Sequence, residues 1–195
     1  MWIENQALDG KYVKLEPLGM QHISALQVAV TDGKYWRLWY ANVPAPDEIV
    51  TYVEHAIEQA HLGEVAYAVI DKRTNTVVGT TRYYNVDGTN KRAAIGYTWY
   101  ANSVRRSPIN TESKLLLLQN VFEHHSAIAV EFKTHFFNHT SRTAIERLGA
   151  KLDGILRSHQ IMKDGSLRDT AVYSIIASEW PAVRNNLEYK LHEHA

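Results

Sequence analysis

The sequence predicts one mixed α/β (α+β) domain built on a central, mostly antiparallel twisted sheet of about seven strands. Three observations carry this expectation. Segments that alternate apolar and polar residues, as half-buried strands do, are interspersed with segments whose apolar residues recur at helical spacing. Asp-Gly pairs and short polar turns join several strands, marking hairpins and therefore antiparallel neighbours. One helical segment instead links two strands, which is the connection a parallel pair requires.

Residues 12–18 (YVKLEPL) alternate as a strand, and Met20, Ile23, Leu26 and Val30 then fall on one helical face. A second helix is expected over 46–61, with Pro46 in its first turn and Ile49, Val53, Ile57 and Ala60 as its stripe. Between them, YWRLWYANVP is aromatic-rich and without period. Strands follow over 64–71, 76–86 and 92–100, joined by the polar turn 72–75 and by Asp87-Gly88. A helix over 111–125 crosses to a strand over 127–136. It carries Leu115, Leu118 and Phe122 on one side and Leu116, Leu117 and Val121 on the rest, so it should be buried on several sides. A helix over 139–148 ends at Gly149, placed where a left-handed residue belongs. Strands over 151–162 and 167–177 flank a third hairpin at Asp164-Gly165. A short closing helix opens at Glu179-Trp180-Pro181, and the tail 190–195, ending LHEHA, is expected to fray.

Composition limits the functional classes. The 195 residues suit a single domain, 1–195, with its core over about 10–185. Lys and Arg together number 21, as do Asp and Glu, so the basic excess of a dedicated nucleic-acid binder is missing. There is no cysteine, which excludes disulfides, thiolate ligands and a cysteine nucleophile. No signal-like leader or membrane-length apolar run is present, so a cytoplasmic protein without membrane or nucleic-acid partners is expected. Ten histidines invite a metal reading. The adjacent His124 and His125 would point apart on a helix, however, and no metal site is expected.

The chemistry concentrates in two strand-to-helix turns, at 96–114 and 132–150. A helix N-terminus presents unpaired N–H groups and a partial positive charge, which together attract phosphate. Arg105 and Arg106 precede the first helix, Asn110 is placed to cap it, and Glu112 suits its dipole. The second turn, FKTHFFNHTSRTAIERLGA, brings Asn138 and Ser141 to the next helix start.

These residues, in this order, resemble the GCN5-related N-acetyltransferases, and most closely the branch of the ribosomal-protein N-terminal acetyltransferases. The family's pyrophosphate turn has the form Arg/Gln-x-x-Gly-x-Gly/Ala, often followed by Thr/Ser-Glu-Ala. The matching string runs Arg105, Arg106, Ser107, Pro108, Ile109, Asn110, Thr111, Glu112, Ser113. Its first position and Thr-Glu agree, whereas Pro108 and Asn110 replace the small residues. The second segment matches through Asn138, Ser141, Ala144, Ile145, Leu148, Gly149 and Ala150.

The resemblance implies one splayed parallel strand pair with helices on both sheet faces. It also implies acetyl-coenzyme A as cosubstrate, with no metal. Backbone groups of Trp99, Tyr100 and Ala101 would bind the pantetheine arm. The turn Arg105, Arg106, Ser107, Ile109, Asn110 and Thr111 would hold the pyrophosphate, and Asn138 would contact the coenzyme. Where many relatives carry a thiolate-protonating Tyr, this chain has Ile145, so the role passes to Ser141, with Tyr173 as a weaker candidate. Glu131, His135, His159 and Asp169 are the candidate general bases, none preferred. Trp36, Trp39 and Tyr40 of the first interhelical loop, with Tyr84 and Tyr97, would line the amine site. For any one of these aromatics, plugging the core is the more common role. The implied reaction is direct acetyl transfer to a primary amine, of a protein N-terminus or a small molecule, in a ternary complex; a homodimer is compatible. A weak or inactive ligand-binding protein of the same fold is the alternative, because Pro108 removes one N–H donor and Asn110 adds a side chain.

Overall fold

The computed structural model describes residues 1–193. Strand β1 (Leu8–Asp9) folds back on β2 (Val13–Pro17), whose Val13 and Leu15 are fully buried. A single 3-10 turn leads into helix α1 (Ile23–Thr31), and another, opened by Pro46, leads into α2 (Ile49–Glu58). Strands β3 (Val65–Asp71), β4 (Thr76–Asp87) and β5 (Arg92–Tyr100) form the expected antiparallel meander.

Helix α3 (Ile109–Gln119) starts two residues earlier than its apolar pattern suggested and continues as a π-helical turn, Asn120–His124. After it come β6 (Ala129–His135), α4 (His139–Leu148), the hairpin of β7 (Lys151–Ile161) and β8 (Leu167–Ile176), and α5 (Trp180–His192). Gly149 ends α4 at φ 107°, as its position implied. The closing helix is longer than expected: Lys190, Leu191 and His192, assigned to the tail, lie in it, while 194–195 fall outside the described residues.

The sheet runs β1-β2-β3-β4-β5-β6-β8-β7, eight strands, the extra one being the two-residue β1. Among the described residues only β5 and β6 pair in parallel. The larger core lies between the sheet and α3, α4 and α5, and includes Tyr67, Tyr83, Leu117, Phe132, Ile175 and Leu187. The smaller one lies on the opposite face, where Leu26, Val30, Ile49 and Val53 of α1 and α2 close over Trp99.

Two irregularities shape the centre of the sheet. Parallel pairing runs from Arg92–Ala129 to Ala94–Glu131 and then stops, although β5 continues to Tyr100 and β6 to His135. The two strands therefore part into a V. On its other side β5 carries a bulge, two residues (Tyr97 and Thr98) standing opposite Thr81 alone. Tyr97 takes φ 50°, a left-handed conformation that a bulky residue adopts at a cost.

Candidate active site

The V opens between the ends of β5 and β6, and both strand-to-helix turns face it. Ala101 donates its N–H to Val78 O (2.8 Å) on β4, and the Trp99 carbonyl lies on that same side, close to Gly79. Alternation along the strand then turns the peptide groups of Tyr100 toward the gap. Of the three residues expected to offer backbone groups there, Tyr100 is the one so oriented. The Trp99 and Ala101 side chains are buried in the smaller core.

At the bulge, the Tyr97 carbonyl is turned out of the ladder and accepts from Thr80 Oγ1 (3.0 Å) and Tyr52 OH (3.3 Å). Behind it, Lys114 of α3 donates to Thr81 Oγ1 (3.0 Å) and Thr98 Oγ1 (2.7 Å). Lys114 is 5% exposed, and burial lowers its pKa to about 7.

The first turn differs from its sequence reading in one respect. Asn110 is not the cap. Pro108 already has helical dihedrals, which its ring favours at a first helical position, and Ser107 Oγ accepts from Ile109 N–H at 3.3 Å. Asn110 thus falls inside the first turn. Among the described residues, the N–H groups of Asn110 and Thr111 have no acceptor. Arg105 and Arg106 are exposed beside them, and Arg105 Nη1 donates to Tyr35 OH (2.8 Å) in the loop after α1.

Glu112 does more than complement the dipole. Its buried carboxylate accepts N–H bonds from Lys11 (2.8 Å), Tyr12 (2.7 Å) and Val13 (2.7 Å). Gly10 makes this possible, since a Cβ there would stand 2.5 Å from the Glu112 Cδ. The start of α3 is in this way fastened to the β1–β2 turn.

The second turn is capped from within. Asn138 Oδ1 accepts from Ser141 N–H at 3.0 Å. The Ser141 hydroxyl and the Asn138 amide Nδ2 have no partner among the described residues. Tyr173 is occupied elsewhere: its hydroxyl accepts from Arg142 Nε (2.9 Å) and donates to Glu146 Oε1 (2.8 Å), and burial raises its pKa.

On the α1/α2 face of the V stand residues that the sequence reading grouped and others that it missed. Tyr84 and Tyr97 meet edge to face with centroids 5.3 Å apart, and Gly96 leaves room for the Tyr84 ring. Trp39 and Tyr40 lie over His135, at 4.9 and 6.2 Å. Trp36 instead packs with the α1/α2 core. Missed were Arg82, Arg168, Tyr52 and Glu64. Arg82 is 1% exposed, pairs with Glu64 (3.1 Å), and lies under the rings of Tyr97 (4.2 Å) and Tyr52 (5.6 Å). A charged residue at an inward position of the apolar β4 was the available signal.

Most of the candidate bases are already engaged. Glu131 is paired with Arg92 (2.5 Å) and Lys133 (3.2 Å), and Asp169 with Arg157 (3.4 Å). His159 Nδ1 lies 3.1 Å from Thr170 Oγ1. His135 Nδ1 accepts from Phe137 N–H at 3.1 Å, so the neutral ring carries its proton on Nε2 and offers a donor rather than a lone pair. Burial, followed by the nearby Arg168 charge, lowers its pKa and favours that neutral form. Among the described residues no His, Asp or Glu trio gathers to hold a metal, and no helix is long and apolar enough to cross a membrane.

A splayed parallel pair beside an open, basic helix start defines a class that comparison with known proteins makes specific. Residues 13–151 match the family model for the acetyltransferase (GNAT) domain. A GCN5-related N-acetyltransferase from Brucella melitensis is 30% identical, with TM-score 0.87 over 97% of this chain and 86% of that one. A structure from T. thermophilus, described as an acetyltransferase, is 32% identical, with TM-score 0.85 over 98% of this chain and 100% of that one. RimL, the ribosomal L7/L12 alpha-N-protein acetyltransferase in complex with coenzyme A, shares the fold at 20% identity, with TM-score 0.73 over 87% and 97%. No curated protein matches in sequence. The chain belongs to the GNAT acetyltransferase family.

Proposed function

We propose that this chain is an acetyl-coenzyme A-dependent N-acetyltransferase that moves the acetyl group directly to a primary amine in a ternary complex. The observation that carries the reading is the V. Pairing between β5 and β6 ends at Ala94–Glu131, and the gap leads to the unpaired N–H groups of Asn110 and Thr111 beside Arg105 and Arg106. The pyrophosphate would sit on those donors and charges. The pantetheine arm would extend along Tyr100, with Asn138 Nδ2 as a further contact. RimL, which shares the fold, is described in complex with coenzyme A, which supports coenzyme A as the ligand of this fold.

In the reaction the neutral amine nitrogen attacks the thioester carbon, the C–N bond forms and the C–S bond breaks. The nitrogen loses its extra proton to solvent, and the departing sulfur gains one. Ser141, its hydroxyl unpartnered at the start of α4, is the group assigned to deliver that proton. A backbone N–H of the Trp99, Tyr100 and Ala101 stretch, that of Tyr100 turned toward the gap, would hold the developing oxyanion. A ligand-binding protein without turnover is the second reading, favoured by Pro108 and by the engagement of Arg105 with Tyr35.

A thermal-shift titration tests the cosubstrate: acetyl-coenzyme A is expected to raise the melting temperature, and no shift at millimolar ligand would sink the proposal. With an amine panel and thiol detection, Ser141→Ala is expected to lower kcat at least about tenfold with an unchanged melting temperature. Unchanged turnover would remove Ser141 from its role.

A further inference from the structure

We infer that the acetyl acceptor is a primary amine that also carries a carboxylate, gripped by Arg168 and His135 on the α1/α2 face of the sheet. The inference rests on the N-acetyltransferase reading and narrows its acceptor class. The opposite face is filled by α3, α4 and α5, so the acceptor has to approach from this side.

What this face holds in excess is hydrogen-bond donors. Arg168 is 7% exposed, and its one protein partner is a hydroxyl, Thr170 Oγ1, at 3.0 Å from Nε. Thr170 is the register partner of His135. His135 is 3% exposed, and its Nε2, which bears the proton, has no partner. Across the V, Arg82 leaves Nε and Nη2 unpaired under the half-exposed Tyr97 ring. The nearby carboxylates are already matched, Glu64 to Arg82, Glu131 to Arg92 and Lys133, and Asp169, whose charge reaches His135, to Arg157.

Buried donors left without acceptors are costly, so an occupant that supplies oxygens gains what the free protein lacks. A guanidinium fork suits a carboxylate in particular. A polyamine would instead bring positive charge against Arg168 and leave every donor unpaired. The carboxylate takes no part in the transfer. It orients the amine, and an α-amino acid or a short peptide with a free carboxylate fits these terms.

The test is a panel of α-amino acids and acidic dipeptides, each beside its carboxamide, together with spermidine, read by thiol release from acetyl-coenzyme A. Carboxylate acceptors are expected to exceed their carboxamides and spermidine at least about tenfold in kcat/KM. Dipeptides amidated at only one carboxyl separate a terminal from a side-chain contact. Arg168→Gln should raise the KM for the carboxylate acceptor about tenfold and leave that for acetyl-coenzyme A unchanged, and Arg168→Lys should recover part of the loss. Equal or better turnover of carboxamides or spermidine overturns the inference while the enzyme reading stands, and this comparison needs only the wild-type chain. If no amine is acetylated, the enzyme reading falls. Calorimetric titration of the coenzyme A-loaded chain with N-acetylglutamate and its diamide then decides: selective, Arg168-dependent binding of the acid upholds the charge preference, and equal or absent binding of the two overturns it.

Discussion

The starts of α3 and α4 are both strand-to-helix turns at the mouth of the same V, yet they are held in different ways. The α4 start is local: Asn138 caps Ser141 three residues on. At the α3 start the strongest contacts come from far along the chain. Glu112 is held by backbone groups about a hundred residues away, and Lys114 by hydroxyls on β4 and β5. The Asn138 side chain takes up the Ser141 N–H, whereas at the α3 start Ser107 Oγ takes up only that of Ile109 and those of Asn110 and Thr111 stay free. On the proposed coenzyme placement, this difference lets the first turn offer backbone donors to phosphate without the family's small residues, and the second offer side chains instead.

Breaking the long-range anchor should have the largest effect. Glu112→Ala strands three backbone donors and is expected to cost about 3 kcal/mol or more in urea unfolding, with Glu112→Gln intermediate. Next is the charge beside the open turn. Replacing Arg105 and Arg106 together by Glu should raise the KM for acetyl-coenzyme A about tenfold or more, with stability unchanged within about 0.5 kcal/mol. An unaltered KM would place the pyrophosphate elsewhere.

Lys114 gives the anchor a pH signature. Its folded pKa of about 7 lies below the ordinary 10.5, so between those values the unfolded chain binds a proton that the folded chain does not. Stability therefore rises with pH across that window. Lys114→Met, which leaves Thr81 and Thr98 bonded to each other at 2.8 Å, should abolish this component of the slope. Identical slopes in the two proteins would contradict it. The smallest effect belongs to the local cap. Asn138→Ala should cost about 1 kcal/mol, and Asn138→Asp almost nothing. A raised acetyl-coenzyme A KM in Asn138→Asp alone would mark Nδ2 as a coenzyme contact.

Much of the fold was legible because its signals are local. The strand alternation, the Asp87-Gly88 and Asp164-Gly165 hairpins and the left-handed Gly149 each depend on a few adjacent residues. The cap of α3 was misassigned to Asn110 because Pro108 and Ser107 reset the helix start, a choice that sequence spacing alone did not favour. Trp36 and Tyr40 could not be told apart in one aromatic loop, and only packing sends the first to the core and sets the second beside His135.

By itself the sequence determined the order of elements, the family resemblance and the residues that flank the two helix starts, because periodicity, turn chemistry and motif spacing lie along the chain. The tertiary structure alone decided which polar groups are satisfied. Glu112 finds its partners about a hundred residues away, Lys114 is driven toward neutrality by burial, and Arg168, His135 and Arg82 are left with donors to spare. Those outcomes depend on strand register and on what each face excludes from water, and neither quantity is written in any short stretch of the chain.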